Sequence, residues 1–472
     1  MNYLKIAWRN LWRNKRRTLI TSASILFAVF FAVFMRSFQL GFYDHMISNV
    51  VESYSGFIQV QHRNYKDDPS LENSFISNDS LIYVIESMNG VRGVVPRVEM
   101  VALASSGNQT KGVAVLGIDP EREHSLSDPE IFMVKYRVGE EVIEKIRQNH
   151  QVSEEIKERL KFISGESYCT IEAIARDLGT DVDENSELFD FIAKECSFPG
   201  QYLTEKDDGV LVSDKLSKYL KLSVGDTLIL IGQDYYGSSS AGLYPVRGIV
   251  RIPSPDLDNK LIYISIHSAQ QFAELDGKIT SLAINLVDNS DENMQNFQHE
   301  LSSRLINPDI TVRNWKEFNE VLKQQIDSDS QSGQAFMALL YFIIFFGIFG
   351  TVLMMIHERH REFGVLVSIG MRKGRLARTF IYEMFLMGLM GVVSGIIISL
   401  PFLYYFHNNP IHLTGDMANI MEEMGWEAII PLAWVDLYIL WQGIIVALMV
   451  VLACIYPLHK VLRLKEIDAL RA

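Results

Sequence analysis

Three sets of residues in this chain could do chemistry: His357 and His360 stand three apart, Ser238-Ser-Ser-Ala-Gly offers hydroxyls, and Cys169, Cys196 and Cys454 offer thiols. None has the spacing its chemistry needs. A zinc-binding helix presents His-Glu-x-x-His, and neither that run nor a cysteine-rich pattern accompanies the two histidines. A strained serine nucleophile sits in Gly-x-Ser-x-Gly, so Ser238 to Gly242 predicts a hairpin tip instead. Gly-x-x-x-x-Gly-Lys-Ser/Thr, the phosphate cradle of nucleotide hydrolases, does not occur. The expected chain is non-catalytic, without a metal or cofactor of its own. Three cysteines cannot make a disulfide framework, and for Cys169 and Cys196 both a single bridge and two free thiols remain open.

What must be positioned is therefore a set of membrane helices. Leu19 to Leu40, Ala335 to Ile356, Phe380 to Phe406 and Leu437 to Leu458 are apolar, each with about the 20 residues needed to cross roughly 30 Å of hydrocarbon. The segments at 1–18, 357–379 and 459–472 hold 16 basic and 4 acidic residues, leaving 28 basic and 53 acidic residues elsewhere. Basic flanks predict a cytoplasmic position for those three segments and both termini. The loop at 407–436 has no Lys or Arg but carries Asp416, Glu422, Glu423 and Glu427, which places it outside. A basic inner rim suits anionic membrane lipids, and the net charge of −13 with no basic stripe beyond that rim argues against nucleic acid.

Residues 41–334 lie between the first two helices and are long enough for soluble cores of their own. Phe57 to Val60, Gly93 to Val98 and Gly112 to Leu116 predict strands, as do Val210 to Val212, Thr227 to Ile231, Tyr244 to Val250, Leu261 to Ile264 and Ser281 to Leu286. From about 130 to 198 the spacing turns helical, at Glu140 to Arg147, Ser153 to Ile163 and Ile171 to Leu178. Ser290 to Leu305 and Trp315 to Gln325 are further helices, the second leading into the helix at 335–356. The expected fold is a four-helix membrane protein with a large α+β extracytoplasmic domain between helices 1 and 2, carrying a helical insertion.

Inside the apolar stretches, Arg36 and Glu383 lie near opposite ends, which favours snorkelling to an interface over a proton relay. Gly388, Gly391, Gly395 and Ser399 make a small-residue stripe for close helix packing. Two amphipathic segments flank the helices. In Met1 to Arg17, Leu4, Trp8, Leu11 and Trp12 share one face opposite Lys5, Arg9, Arg13 and Arg16, predicting an interfacial elbow. In His357 to Leu376, Phe363, Leu366, Val367 and Gly370 recur at helical spacing, fitting either an interfacial helix ended by Gly370 or a docking surface.

The run Glu358-Arg-His-Arg-Glu-Phe-Gly-Val-Leu-Val-Ser-Ile-Gly370 resembles the signature of the FtsX-like ABC transporter permeases of the MacB and LolC/LolE type. Ala7-Trp-Arg-Asn-Leu-Trp-Arg-Asn-Lys-Arg-Arg-Thr-Leu19 is similar to their entry helix, and Tyr456-Pro-Leu to Ile467-Asp-Ala-Leu-Arg471 to their closing pattern. Gly117-Ile-Asp-Pro120, Gly200-Gln-Tyr-Leu203, Gly209-Val-Leu-Val212 and Leu222-Ser-Val-Gly-Asp226 are similar to their periplasmic core domain. The 130–198 insertion departs from that pattern.

The resemblance implies a permease in the bacterial inner membrane, with 41–334 a MacB-like periplasmic core domain and 357–379 a cytoplasmic coupling helix. Glu358, Arg359, Glu362, Phe363, Gly364, Leu366, Val367, Ile369 and Gly370 become the expected contacts of that helix with an ATPase. It further implies two copies of a cytoplasmic ABC ATPase that binds ATP and Mg, a second permease chain, identical or a paralogue, and mechanotransmission to a lipoprotein cargo or a periplasmic partner. Efflux of small molecules or peptides, and regulation of a cell-wall hydrolase without transport, are the family's alternatives to lipoprotein release.

Overall fold

The computed structural model describes residues 3–13, 15–148, 152–305, 307–413, 416–423 and 426–463. The closing segment Ile467 to Arg471 and the side chains of Leu4 and Arg17 lie outside what it describes. Two short-range features open the chain: α1 (Tyr3–Arg13), then α2 (Lys15–Ile47), which begins four residues earlier than the apolar stretch and is followed by a π-helical segment, Ser48–Ser55.

The large domain then runs through β1 (Ile58–His62), β2 (Phe75–Ile76), α3 (Asp79–Glu86), β3 (Val91–Ser106), β4 (Gln109–Ile118) and α4 (Pro120–Glu123). The insertion supplies β5 (Tyr136–Arg137), α5 (Glu140–Gln148), α6 (Glu154–Arg159), β6 (Ser167–Tyr168), α7 (Ile171–Leu178) and α8 (Ser186–Glu195). After it come β7 (Val210–Ser213), α9 (Asp214–Leu220), β8 (Thr227–Gln233), β9 (Ser239–Val250), α10 (Pro255–Asp258), β10 (Leu261–Ser265) and α11 (Ile266–Ala273). β11 (Lys278–Ile279), β12 (Ser281–Leu286), α12 (Asp291–Arg304), β13 (Ile310–Asn314) and α13 (Trp315–Phe318) complete it.

Nine strands form one sheet in the order β13-β1-β12-β3-β4-β10-β7-β9-β8. The 16-residue β3 uses one edge twice: residues 91–97 pair with β12, whereas Ala102 to Ser105 pair with β8. β8 thereby closes β3-β4-β10-β7-β9-β8 into a six-stranded barrel, and β12, β1 and β13 extend from its rim. Closure removes an open edge that would otherwise template unwanted strand pairing. Beneath β3, the buried guanidinium of Arg97 pairs with the buried carboxylate of Glu123 and donates to the carbonyl of Tyr54 in the π-helical segment.

The insertion has its own core, in which Ile143, Ile146, Leu160, Ile174, Leu178, Phe189 and Ile192 meet. Local signals set its helices. Ser153 and Thr170 accept from the backbone N–H groups of Ile156 and Ala173 at the starts of α6 and α7, and Gly179 ends α7 at φ +69°. Its two ends leave the barrel side by side, the Phe198 N–H donating to the Lys135 carbonyl at 2.8 Å.

The remaining elements are α14 (Glu320–Glu358), α15 (His360–Ser368), α16 (Lys373–Asn408), β14 (Ile411–His412), α17 (Asp416–Glu423), β15 (Ile429–Ile430) and α18 (Tyr438–Leu462). Helices α2, α14, α16 and α18 are each long and apolar enough to cross a membrane. With α1, α15 and the β14–β15 pair they make one unit, and Met46–Lys323 with Leu413–Ala428 make the other. The helix expected at Trp315 to Gln325 is broken after Phe318, and α14 starts afresh at Glu320.

In the helical unit α16 is the hub, packed against α1 and α18 and seating α2 through its glycines. A Cβ on Gly391 would lie 2.6 Å from the Ile25 Cβ and 2.9 Å from the Ser22 carbonyl oxygen, and one on Gly395 would lie 2.8 Å from the Val29 Cβ. Gly388 faces Val450 of α18. Where backbones approach this closely, dispersion and not water exclusion holds helices together in lipid. Gly391→Leu should therefore separate α16 from α2 at a cost of about 1–3 kcal/mol or more, read as a lower melting temperature of the detergent-purified chain. Gly374→Ala, where nothing lies within 4 Å of an added Cβ, should leave that temperature unchanged or slightly raised.

Candidate functional site

A nine-residue helix such as α15 is not stable alone in water, because nucleation costs more than so few hydrogen bonds return. Two features hold it. Phe363, Gly364 and Val367 make one buried face, and Gly370, at φ +101°, closes the end, with Met371 N–H reaching the Leu366 carbonyl at 3.0 Å. The six-to-one bond with a left-handed residue is a Schellman closure that glycine adopts without steric cost.

The second hold is ionic. Arg359, immediately before α15, is 4% exposed, and Glu383 on the first turns of α16 is 2% exposed. The Arg359 Nη1 donates to Glu383 Oε2, while Asn10 Nδ2 of α1 donates to Glu383 Oε1 at 2.7 Å. The Arg359 Nε also donates to Glu362 Oε2 at 3.3 Å, and Arg13 of α1 reaches the same oxygen at 3.5 Å. The Arg359 guanidinium lies 5.2 Å from the Phe363 ring centroid. Together these contacts join α1, α15 and α16. Desolvating such a pair costs several kcal/mol per ion, so each charge depends on the other being in place. The snorkelling expected of Glu383 is thus corrected: its carboxylate does not reach outward but is satisfied inside by Arg359 and Asn10. Arg36 keeps partial exposure and donates to Gln39 at 2.6 Å.

The expected contact residues divide between two faces. Arg359, Phe363, Gly364 and Val367 turn inward, whereas Glu358, Glu362, Leu366, Ile369 and Gly370 are exposed, joined by Val365 and Arg361. Ile369 is 79% exposed, and with Val365 and Leu366 it makes an outward apolar patch one helical turn long. A crevice of about 780 Å³ opens between α1, α15 and the start of α16, with Leu366, Arg361 and Arg375 among its walls. On α1 the predicted face also divides: Leu11 is buried, while Trp8 and Trp12 are about half exposed and meet edge to face at 5.9 Å. Asn10 and Glu383 escaped the sequence reading as site residues. A carboxylate in an apolar stretch needs a cation, and Arg359 lies across the turn, but no local spacing marks that pairing.

Elsewhere, all three cysteines are free thiols, and burial pushes Cys169 and Cys196 up to about 11, so neither is a thiolate at neutral pH. His124 is bracketed by Asp128, 2.7 Å from Nδ1, and Glu130, 3.7 Å from Nε2. The hydrogen bond to Asp128 raises its pKa above the ordinary value. Each ring nitrogen faces a different carboxylate on an exposed surface, an arrangement that stabilises an imidazolium.

The FtsX-like permease C-terminal family matches residues 335–465, the segment from within α14 to past α18. The lipoprotein-releasing system transmembrane protein LolC of Xylella fastidiosa is 20% identical over 283 residues, covering 58% of this chain and 65% of that protein. The macrolide export ATP-binding/permease protein MacB of Mannheimia succiniciproducens is 26% identical over 132 residues, 26% of this chain and 19% of that one. The chain therefore spans less than two thirds of the length of these relatives. The crystal structure of the periplasmic region of MacB from Actinobacillus actinomycetemcomitans aligns with 60% of the chain and 95% of its own length, at 12% identity and a TM-score of 0.32. The Glu358 to Gly370 run falls on and around α15, inside the matched segment with α16 and α18, so residues 335–465 carry an FtsX-like permease C-terminal domain.

Proposed function

We propose that the chain is the transmembrane subunit of an ABC transporter, passing motion driven by ATP in a separate cytoplasmic ATPase to its large α+β domain, and that its cargo is a lipoprotein released from the bacterial inner membrane. The observation that carries this is α15: a short helix fixed from behind by a buried ion pair, with an apolar patch left open in front. A helix that merely lay in the interface would not need a desolvated arginine and glutamate to fix its angle. One that receives force does, since a loose lever dissipates displacement. Closing of the ATPases moves the two α15 helices of a permease pair, and α14 and α16, which flank α15 in sequence, carry the movement outward. Coupling of this kind requires each state to be favoured by a different ligand, nucleotide on one face and cargo on the other. The lipoprotein assignment is supported by the similarity to LolC over more than half of the chain.

Leu366→Asp with Ile369→Asp places two charges on the open patch and should abolish co-purification with the ATPase while leaving the melting temperature unchanged; retained association would remove α15 as the docking element. Phe363→Asp should instead unfold the local packing, by at least the 3–5 kcal/mol typical of losing a buried aromatic ring. Glu383→Gln should cost about 3–5 kcal/mol by stranding Arg359, and Glu383→Leu with Arg359→Met should recover most of that loss in a double-mutant cycle of detergent melting curves. For the cargo, the reconstituted permease and ATPase should release a triacylated lipoprotein from liposomes on adding ATP. Intact ATPase binding with no release would exclude that cargo.

A further inference from the structure

A second crevice, of about 660 Å³, lies on the other side of Glu362, between the first turns of α2 and the last turns of α14. Its walls are graded. Lys15 and Arg16 lie at the end of α2, with Ile20 and Thr21 about 7.5 Å deeper along the helix. On α14, Glu358 stands at the end, Met354 and Met355 one turn in, and Thr351 about 10 Å from Glu358. Ile20 and Met354 are 55% and 64% exposed, so the deep end of the crevice is apolar and open to the side. Such a gradient fits a molecule with a charged head and a hydrocarbon body.

Charge decides which head. Arg13, Lys15, Arg16 and Arg359 line the crevice against two carboxylates, Glu358 and Glu362. Glu362 is already held by Arg13 and Arg359, and Arg359 by Glu383 as well. Lys15 and Arg16 are exposed and have no ion-pair partner among the described residues. Two uncommitted cations therefore face one uncommitted carboxylate, at the depth where the helix surface turns from charged to apolar.

We propose that this crevice is a binding site for an anionic phospholipid, its phosphate held by Lys15 and Arg16 and its first methylenes lying along Ile20 and Met354. The inference rests on reading α2 and α14 as membrane-spanning, with their basic ends at one interface. A lipid seated there touches the ends of both helices beside the Glu362–Arg359 contact, so its occupancy stabilises the same corner that holds α15.

The test is lipid retention by the full-length chain, taken from nanodiscs of phosphatidylcholine doped with phosphatidylglycerol or phosphatidylethanolamine and read by native mass spectrometry. Phosphatidylglycerol should be retained in preference to the other two. Lys15→Gln with Arg16→Gln should weaken retention roughly thirtyfold, and Lys15→Arg with Arg16→Lys should restore it. Arg372→Gln with Lys373→Gln, which removes the same charge outside the crevice, should leave it intact. Equal retention of all three lipids, equal loss in both Gln pairs, preference for phosphatidylethanolamine, or displacement by inorganic phosphate would overturn the proposal. A chain that enters nanodiscs without lipid preference fails this inference alone, whereas one that does not enter them fails the membrane reading too.

Discussion

The pairing of Arg359 with Glu383 is the constraint on which the helical unit depends. It joins the residue before α15 to the first turns of α16, and through Asn10 it includes α1. Each of those elements would otherwise be free to change angle: α1 is an 11-residue amphipathic helix, and α15 is shorter still. A pair this deep gains little net stability over an apolar replacement. What it supplies is geometry, because a guanidinium fork and a carboxylate satisfy one another only over a narrow range of positions.

The long helices are assembled by a different physics. Lipid is as apolar as leucine, so helices associate through close backbone approach, and α16 provides it at Gly391 and Gly395 against α2 and at Gly388 against α18. On α14, Gly333 meets only the side chains of Gln39 and Tyr43 of α2, and Gly347 and Gly350 have nothing within 4 Å of an added Cβ. Only 22% of its most apolar window is buried, half the share of α2, and within its apolar stretch the Tyr341 hydroxyl donates to Gln442 of α18. Of the four helices α14 thus buries the smallest share of its apolar window, and it is the one that runs directly into Arg359.

Much of this was legible from pattern alone. The eight strands that alternation places begin within five residues of their expected starts, whereas β13 at the sheet edge was not foreseen, and α7 spans the eight residues its spacing predicts. Short helices after strands were missed, although Ser265 accepting from Ser268 N–H at the start of α11 is an N-cap the sequence displays. Other failures have a common cause. In β8, Thr-Leu-Ile-Leu-Ile is apolar at successive positions, and only closure of the barrel decides that Leu228 and Leu230 go in while Ile229 and Ile231 stay out. On α15 the spacing grouped Phe363 with Leu366, yet the buried face is 363, 364 and 367, because α1 and α16 set the rotation. Glu383 looked solitary since its partner is 24 residues away, and pairing across a turn leaves no periodic trace.

The insertion's two attachment points are hydrogen-bonded neighbours, Lys135 and Phe198, and its apolar residues are used up in a cluster of their own. Excising it would leave two chain ends one hydrogen bond apart, and would take from the buried Asp214 of the barrel its contacts with Arg137 and Ser167. Such a stem tolerates a graft of almost any length, because the ends are already held together and the scaffold beneath is sealed strand to strand. Relatives with a mere turn at this place and relatives with a larger appendage could thus share one frame, the way cuttings of different kinds take on a single rootstock.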